Sequence, residues 1–319
     1  MPYHVYVTRR LTPNAEKRLN AFCQPEYWQE ETPPPYDLLL EKTHTADGLV
    51  CLLTDPIDRQ LIERAKNLKV ISQVAVGVDN INLKAAAEKG IQVGHTPDLL
   101  TDATADMTFA LILAAARRLG EAINFAREEH WQTWGLTTLL GEDVQGATLG
   151  IIGMGRIGQA VARRAVGFNM QILYYSRTPL PEVEEKLGAV RLPFPQVLEQ
   201  SDILSLHVPL TSATRSMIGA PEFEKMKSNA ILVNTARGAV VDTNALVTAL
   251  ETGQIGYAAL DVTDPEPPPP NHDLYRLSNA IVVPHIGSAT RTARNAIALL
   301  AVDNLIAGLQ GKSLPNAVQ

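Results

Sequence analysis

A glycine-rich turn is the first group of residues that could do chemistry. Gly153-Met154-Gly155-Arg156-Ile157-Gly158 follows the apolar run Leu149-Gly150-Ile151-Ile152 and opens a helical stretch, Gln159–Val166. That order suits phosphate. The first glycine permits a tight strand-to-helix reversal, the second lets backbone approach a pyrophosphate, and the third lets helix and strand pack closely. The anion then meets the unpaired N–H groups and positive dipole end of the helix. With strand and helix both readable around it, a dinucleotide site is expected here rather than an ordinary turn. An NAD site usually carries Asp or Glu about 20 residues further on, accepting from the ribose 2′-hydroxyl. The corresponding stretch, Tyr174-Tyr175-Ser176-Arg177-Thr178, holds no acid. Arg177 could pair with a 2′-phosphate and Ser176 and Thr178 could donate to it, so NADP(H) is expected in preference to NAD(H).

A dinucleotide enzyme that moves hydride to a carbonyl needs a proton donor near the oxygen and, for an acid substrate, a cation on the carboxylate. Two of the seven histidines follow apolar strands: His285 after Ile281-Val282-Val283-Pro284, and His207 after Leu204-Ser205-Leu206. Ligands of open αβ sheets bind at that carboxyl edge. Pattern alone does not rank the two, and either one taken singly reads as a structural histidine. Arg237 follows another apolar strand, in Val233-Asn234-Thr235-Ala236-Arg237-Gly238, where a guanidinium could grip a carboxylate at two points. Asp261 ends Ala258-Ala259-Leu260, and Glu266 lies in the proline-braced stretch Asp264-Pro265-Glu266-Pro267. An anion beside an imidazole would favour its protonated form. Spacing alone does not assemble these groups into one site. There is no HxxxH or HExxH pair, and Cys23 and Cys51 lie near no Cys or His partner, so neither a metal site nor a disulfide is expected.

The elements that must position these residues alternate along nearly the whole chain. Short apolar runs and helix-period stretches predict an α/β protein with parallel sheets and crossover helices. Strands are expected at Tyr3–Thr8, Gly48–Leu53, Val70–Val76 and Ile91–Val93, with helices at Asn14–Phe22, Asp58–Lys66 and Asn82–Lys89. One long helix is predicted over Thr101–Arg118, capped by Thr101 or Asp102. A second series carries strands Thr148–Ile152, Gln171–Tyr175, Ile203–His207, Ala230–Asn234, Tyr257–Leu260 and Ala280–Val283, and the last helix covers roughly Ala293–Gln310. Boundaries are expected near residues 99 and 289.

At 319 residues the chain is long enough for two domains with sizeable cores. Its 34 acidic against 28 basic side chains give −6, which argues against a nucleic-acid or anionic-membrane binder. The N-terminus lacks a signal pattern and the longest apolar run, Phe109 to Ala116, is too short to span a bilayer. A soluble cytoplasmic protein is the expectation.

Taken together, Gly153–Gly158, Asn234-Thr235-Ala236-Arg237-Gly238, Leu260-Asp261-Val262, Pro265-Glu266-Pro267 and Pro284-His285-Ile286-Gly287 resemble the D-isomer-specific 2-hydroxyacid dehydrogenases over nearly the full length. Val76-Gly77-Val78-Asp79-Asn80, Leu100–Asp106, Asp261-Val262-Thr263 and His285–Thr290 resemble the glyoxylate/hydroxypyruvate reductase subgroup. The resemblance implies two doubly wound αβ domains. A Rossmann dinucleotide-binding domain (99–288) is inserted into a flavodoxin-like substrate domain (1–98 and 289–319), with a cleft between them. It implies Arg237 as the substrate-carboxylate anchor, His285 as the acid/base and Glu266 as its carboxylate partner. Val76 and Gly77 would hold the carboxylate by their backbone, with Ser288 also on the substrate side. Gly153, Gly155, Arg156, Ile157 and Gly158 would carry the cofactor phosphates, and Thr104, Pro209, Thr235, Asp261 and Gly287 would line the cofactor. The family is generally homodimeric, and Trp134 resembles a tryptophan that closes the neighbouring subunit's substrate pocket; an ordinary interface aromatic is the alternative.

The implied reaction is NAD(P)H-dependent reduction of a small 2-oxo acid, glyoxylate or hydroxypyruvate, to glycolate or D-glycerate. Oxidation of phosphoglycerate or phosphite on the same scaffold is a second reading, though Leu49–Pro56 offers no cation for a phosphate-bearing substrate. A dinucleotide-sensing, corepressor-like binding protein is a third.

Overall fold

The computed structural model describes residues 3–318. They divide into two units: the residues up to Leu100 together with those from Ala289 onward, and Thr101–Ser288.

The first unit is built on five parallel strands: β1 (His4–Val7), β2 (Gln24–Tyr27), β3 (Gly48–Cys51), β4 (Val70–Gln73) and β5 (Gln92–Gly94). Their order is β2-β1-β3-β4-β5, the flavodoxin-like winding. The crossovers are α1 (Pro13–Phe22), α2 (Tyr36–Thr45), α3 (Arg59–Arg64) and α4 (Leu83–Glu88). Asp58 and Asn82 cap α3 and α4, their side chains accepting from the amides of Leu61 and Ala85. β3 and β4 are buried on both faces, as parallel strands covered by helices must be. The ladder ends at Gln73 rather than running to Val76, and the chain from Val74 to Asn80 forms a loop at the carboxyl edge of the sheet.

The C-terminal helix of this unit, here α12 (Arg291–Leu309), packs on α1, β3 and β4. Its fully buried Asn304 ties it down, donating from Nδ2 to the His95 carbonyl at 2.9 Å and accepting at Oδ1 from the Asn316 amide at 2.9 Å.

In the second unit, α5 (Thr101–Ala116) and α6 (Leu119–Arg127) precede seven parallel strands. These are β6 (Thr148–Ile152), β7 (Gln171–Tyr175), β8 (Val190–Arg191), β9 (Ile203–Leu206), β10 (Ile231–Asn234), β11 (Tyr257–Leu260) and β12 (Ala280–Val282). The helices between them are α7 (Arg156–Val166), α8 (Pro181–Leu187), α9 (Phe194–Gln200), α10 (Ala220–Phe223) and α11 (Thr243–Glu251). Strand order is β12-β11-β10-β9-β6-β7-β8, so the winding reverses between β6 and β9. That reversal is the switch point at which open αβ sheets bind ligands. One apolar cluster joins α5, α7 and one sheet face, and another joins α9, α10 and α11 to the opposite face.

The long helix expected over Thr101–Arg118 forms as α5, two residues shorter, and α6 beyond it has no counterpart among the expected elements. Thr101 is the first helical residue of α5 rather than its cap, α5 ends at Ala116, and Arg118, at φ 49°, turns the chain into α6. No residue of α6 is buried, although it carries Leu119 and Ile123. β2 and β8 are absent from the sequence expectations. Both are edge strands, Gln-Pro-Glu-Tyr and Val-Arg, with no apolar run to mark them.

Candidate active site

Three glycines shape the turn after β6, each for a different reason. Gly153 has φ +98°, and a Cβ there would stand 2.6 Å from the His207 carbonyl oxygen, on the chain leaving β9. Gly158 lies inside α7, where a Cβ would meet the Gly153 oxygen at 2.2 Å and Ile151 Cγ2 at 3.3 Å. It lets helix and strand touch. At Gly155, the N-cap of α7, a Cβ would meet no protein atom within 4 Å. That open space at the N-terminus of α7 is what a pyrophosphate requires, so the turn fits a dinucleotide. Arg156 and Ile157 begin α7, with Ile157 packed on the core.

At the far end of β7, Ser176 Oγ donates to the Thr178 carbonyl at 2.5 Å, and Arg177 and Thr178 are exposed. Pro209 follows β9, and its carbonyl accepts from Thr214 Oγ1 at 2.6 Å.

The loops after β10, β11 and β12 gather the titratable groups. Asp261, just past β11, is 2% exposed, and its two carboxylate oxygens accept from the amides of Ile286 and Gly287 at 2.6 and 2.8 Å. Burial raises its pKa above the usual carboxylate value, while these two amide bonds pull it back. The His285 amide donates to the Asp261 carbonyl at 3.0 Å. His285 itself has φ 51°, in the left-handed region, at a cost of about 1–2 kcal/mol that the Asp261 contacts offset. Its Nδ1 donates to Glu266 Oε1 at 2.5 Å, and the other Glu266 oxygen accepts from the Thr263 amide at 3.3 Å. Glu266 thereby fixes the imidazole tautomer and ring direction.

Arg237 reaches the same edge from β10. Asn234 shapes its turn, accepting from the Ala236 amide at 3.0 Å and donating to the Arg237 carbonyl at 2.9 Å. Gly238 lies so close to Thr263 that a Cβ would stand 1.9 Å from its carbonyl oxygen, which brings the β10 loop onto the loop that carries Glu266. Thr235 Oγ1 meets Thr108 Oγ1 of α5 at 3.0 Å, and Thr108 donates to the Thr104 carbonyl at 2.8 Å. A Cβ on Gly287 would approach Asp261 Oδ2 at 2.7 Å and Thr104 Cγ2 at 3.6 Å. Thr104, Thr235, Asp261 and Gly287 are therefore neighbours at one end of the sheet. Ser288 follows Gly287, half-buried, and ends this unit. Trp134 lies between α6 and β6 and is 79% exposed.

His207 has a different environment. Its Nε2 lies 2.8 Å from Ser205 Oγ, and burial pulls its pKa from 6.5 down to about 3. It is a neutral ring near pH 7, ill-suited to donate a proton.

In the first unit, Val76 and Gly77 lie in the loop after β4, and side chains that sequence reading passed over hold that loop. The His95 Nδ1 hydrogen reaches the Val76 carbonyl at 2.9 Å, and Gln73 Nε2 donates to the Gly77 carbonyl at 3.2 Å and to Asn80 Oδ1 at 2.8 Å. Asn80 Nδ2 donates to the Leu52 and Asp55 carbonyls at 3.0 and 2.9 Å. Among the described residues, the amides of Val76, Gly77 and Val78 meet no acceptor. A glutamine within the apolar run Val70-Ile71-Ser72-Gln73-Val74 is the sequence signal that could have exposed this arrangement.

Two predictions follow from these environments. Gly158→Ala should cost about 2–3 kcal/mol in urea unfolding through overpacking, whereas Gly155→Ala should keep its stability and lose at least about tenfold in dinucleotide affinity. For His207, the unfolded ring takes up a proton below pH 6.5 that the folded ring refuses until about 3. Stability therefore falls as pH drops through that window, on the order of 1 kcal/mol per pH unit for one proton. His207→Gln should flatten that slope in denaturation curves recorded between pH 7 and pH 4.

Residues 109–287 match the family "D-isomer specific 2-hydroxyacid dehydrogenase, NAD binding domain". The chain is 50% identical over 318 residues to a glyoxylate reductase of Thermococcus litoralis, covering 98% of this chain and 96% of that protein. The solved TT0316 protein of Thermus thermophilus is 48% identical, with TM-score 0.93 over 99% of this chain and 100% of that one. An NADPH-dependent glyoxylate/hydroxypyruvate reductase of Sinorhizobium meliloti is 31% identical, with TM-score 0.88 over 100% of this chain and 97% of that one. An NAD(P)-binding Rossmann unit inserted in a second parallel αβ unit, with this glycine turn and these motifs, has one reading: the chain belongs to the D-isomer specific 2-hydroxyacid dehydrogenase family.

Proposed function

We propose that this protein reduces glyoxylate or hydroxypyruvate to the corresponding 2-hydroxy acid, with NADPH preferred over NADH. The observation that carries the reading is the 2.5 Å contact between Glu266 and His285, on the loops after β11 and β12, with Asp261 on the first of them and Arg237 on the adjoining β10 loop. When bound, the reduced nicotinamide supplies hydride to the carbonyl carbon. Glu266 holds Nδ1 of His285, so Nε2 is the nitrogen left to give a proton to the carbonyl oxygen. Arg237 takes the substrate carboxylate through its planar fork. Val76 and Gly77, in the unit we assign as the substrate domain, are substrate-binding candidates through their backbone amides, and Ser288 is a further one. Thr104, Pro209, Thr235, Asp261 and Gly287 line the cofactor, whose phosphates rest on the Gly153–Gly158 turn. The absence of an acid at Ser176-Arg177-Thr178 supports NADPH, as does the NADPH dependence of the Sinorhizobium relative.

The active form is proposed to be a homodimer. Leu119, Ile123, Trp131, Trp134, Leu136 and Leu140 form an exposed apolar run across α6 and the following loop, more than an isolated surface would carry. Trp134 is the residue of this run assigned to the neighbouring subunit's pocket.

His285→Ala should lower kcat for NADPH-dependent glyoxylate reduction by about 10²–10⁴ with little change in KM, and Arg237→Ala should raise KM and lower kcat together. A His285→Ala variant that turns over near the parent rate refutes the assignment. Sedimentation should give twice the 34.7 kDa chain mass, and the double change Leu136→Asp, Leu140→Asp should shift it to the single-chain value.

A further inference from the structure

The turn that follows β7 is organised by a residue from outside it. Arg191 sits on β8, paired in register with Tyr174 of β7. Its guanidinium reaches along the strand pair: Nε and Nη2 donate to the Ser176 carbonyl at 3.2 and 3.0 Å, and Nη2 donates to the Arg177 carbonyl at 3.2 Å. Ser176 Oγ donates to the Thr178 carbonyl at 2.5 Å. Three successive carbonyl oxygens, at residues 176, 177 and 178, are thus each engaged by a donor of the chain itself. The nearby carboxylate of Glu184 accepts from Tyr174 Oη at 2.5 Å. Among the described residues, the amides of Ser176, Arg177 and Thr178 meet no acceptor, and the Arg177 and Thr178 side chains are exposed.

A turn in this state has its carbonyl acceptors already engaged and its amide donors still available. A dianionic phosphate monoester gains from every available donor. A bare ribose 2′-hydroxyl, which an NAD site receives with an acceptor, finds none here. Both effects favour the phosphorylated cofactor, one by attraction and one by a missing acceptor.

We propose that Arg191 is a positioning residue for cofactor choice, clamping the Ser176 and Arg177 carbonyls so that the turn faces the 2′-phosphate of NADP(H) with donors alone. The inference rests on the NADPH preference proposed above and adds a residue outside the expected motif. The planar fork places a second nitrogen, Nε, on the Ser176 carbonyl beside the Nη2 that spans both carbonyls, and a lysine has no counterpart to it.

The test is cofactor binding rather than turnover. Dissociation constants for NADPH and NADH are measured by cofactor fluorescence for the parent chain and for Arg191→Met, Arg191→Lys and Ser176→Ala. The parent should bind NADPH more tightly. Arg191→Met should weaken NADPH by about ten- to a hundredfold and leave NADH within about twofold, because general loosening of the turn would weaken both. Arg191→Lys keeps the charge but loses the fork and should recover less than half of the lost preference on a logarithmic scale. Ser176→Ala releases the third carbonyl and should lower the same ratio without touching β8. A parent chain without NADPH preference overturns the cofactor reading and this inference together. A preferring parent whose ratio survives in Arg191→Met, or survives intact in Arg191→Lys, overturns the clamp alone.

Discussion

The geometry of the candidate active site depends on a carboxylate taken out of water. Asp261 is buried at the end of β11, where an ionised group is costly unless donors meet it. The amides of Ile286 and Gly287 are those donors, and they belong to the residues immediately after His285. The same contact that stabilises the buried charge therefore fixes the backbone on which His285 stands, including its left-handed φ. Glu266 acts on the ring only after that backbone is set. Gly287 completes the arrangement, since any side chain there would collide with the Asp261 carboxylate.

Close approach does the rest. The β10 loop reaches the β11 loop because Gly238 presents no side chain to Thr263. α7 lies against β6 because Gly158 presents none to the Gly153 carbonyl, and the turn itself passes beside the chain leaving β9 because Gly153 presents none to His207. Each approach occurs at the carboxyl edge of one parallel sheet, so groups far apart in sequence arrive on neighbouring loops. The buried strands beneath supply the rigidity. β9, β10 and β11 are covered on both faces, and a loop mounted on such strands has little freedom to drift.

Two loops, one in each unit, have the same polarity. In both the Val76–Gly77 loop and the Ser176–Thr178 turn, carbonyls are engaged by side chains and amides are left without internal partners. The side chains doing the tying are His95 and Gln73 in one case and Arg191 and Ser176 in the other. Such a loop is receptive to anions even where it carries no cation, because the orientation of its peptide dipoles is already chosen.

Much of this architecture was legible in the amino-acid order. Strands buried on both faces announce themselves as apolar runs, which is why β3, β6, β9, β10 and β11 could be read. The glycine turn was legible because its spacing is imposed by local geometry between one strand and one helix. β2 and β8 were not legible, since an edge strand needs no apolar run, and α6 was not, since it buries no residue that would mark it. The pairing of Glu266 with His285, the two amides on Asp261, and the reach of Arg191 to Ser176 could not be read from spacing. They join loops from different strands, and which loops become neighbours depends on strand order and register, quantities that hydrophobic periodicity does not encode. The sequence by itself determined the αβ alternation, the phosphate turn and the residue types able to transfer a proton and bind a carboxylate. Only the tertiary structure decided which of them meet, because a hydrogen bond between side chains requires a distance and a direction, and those come from packing.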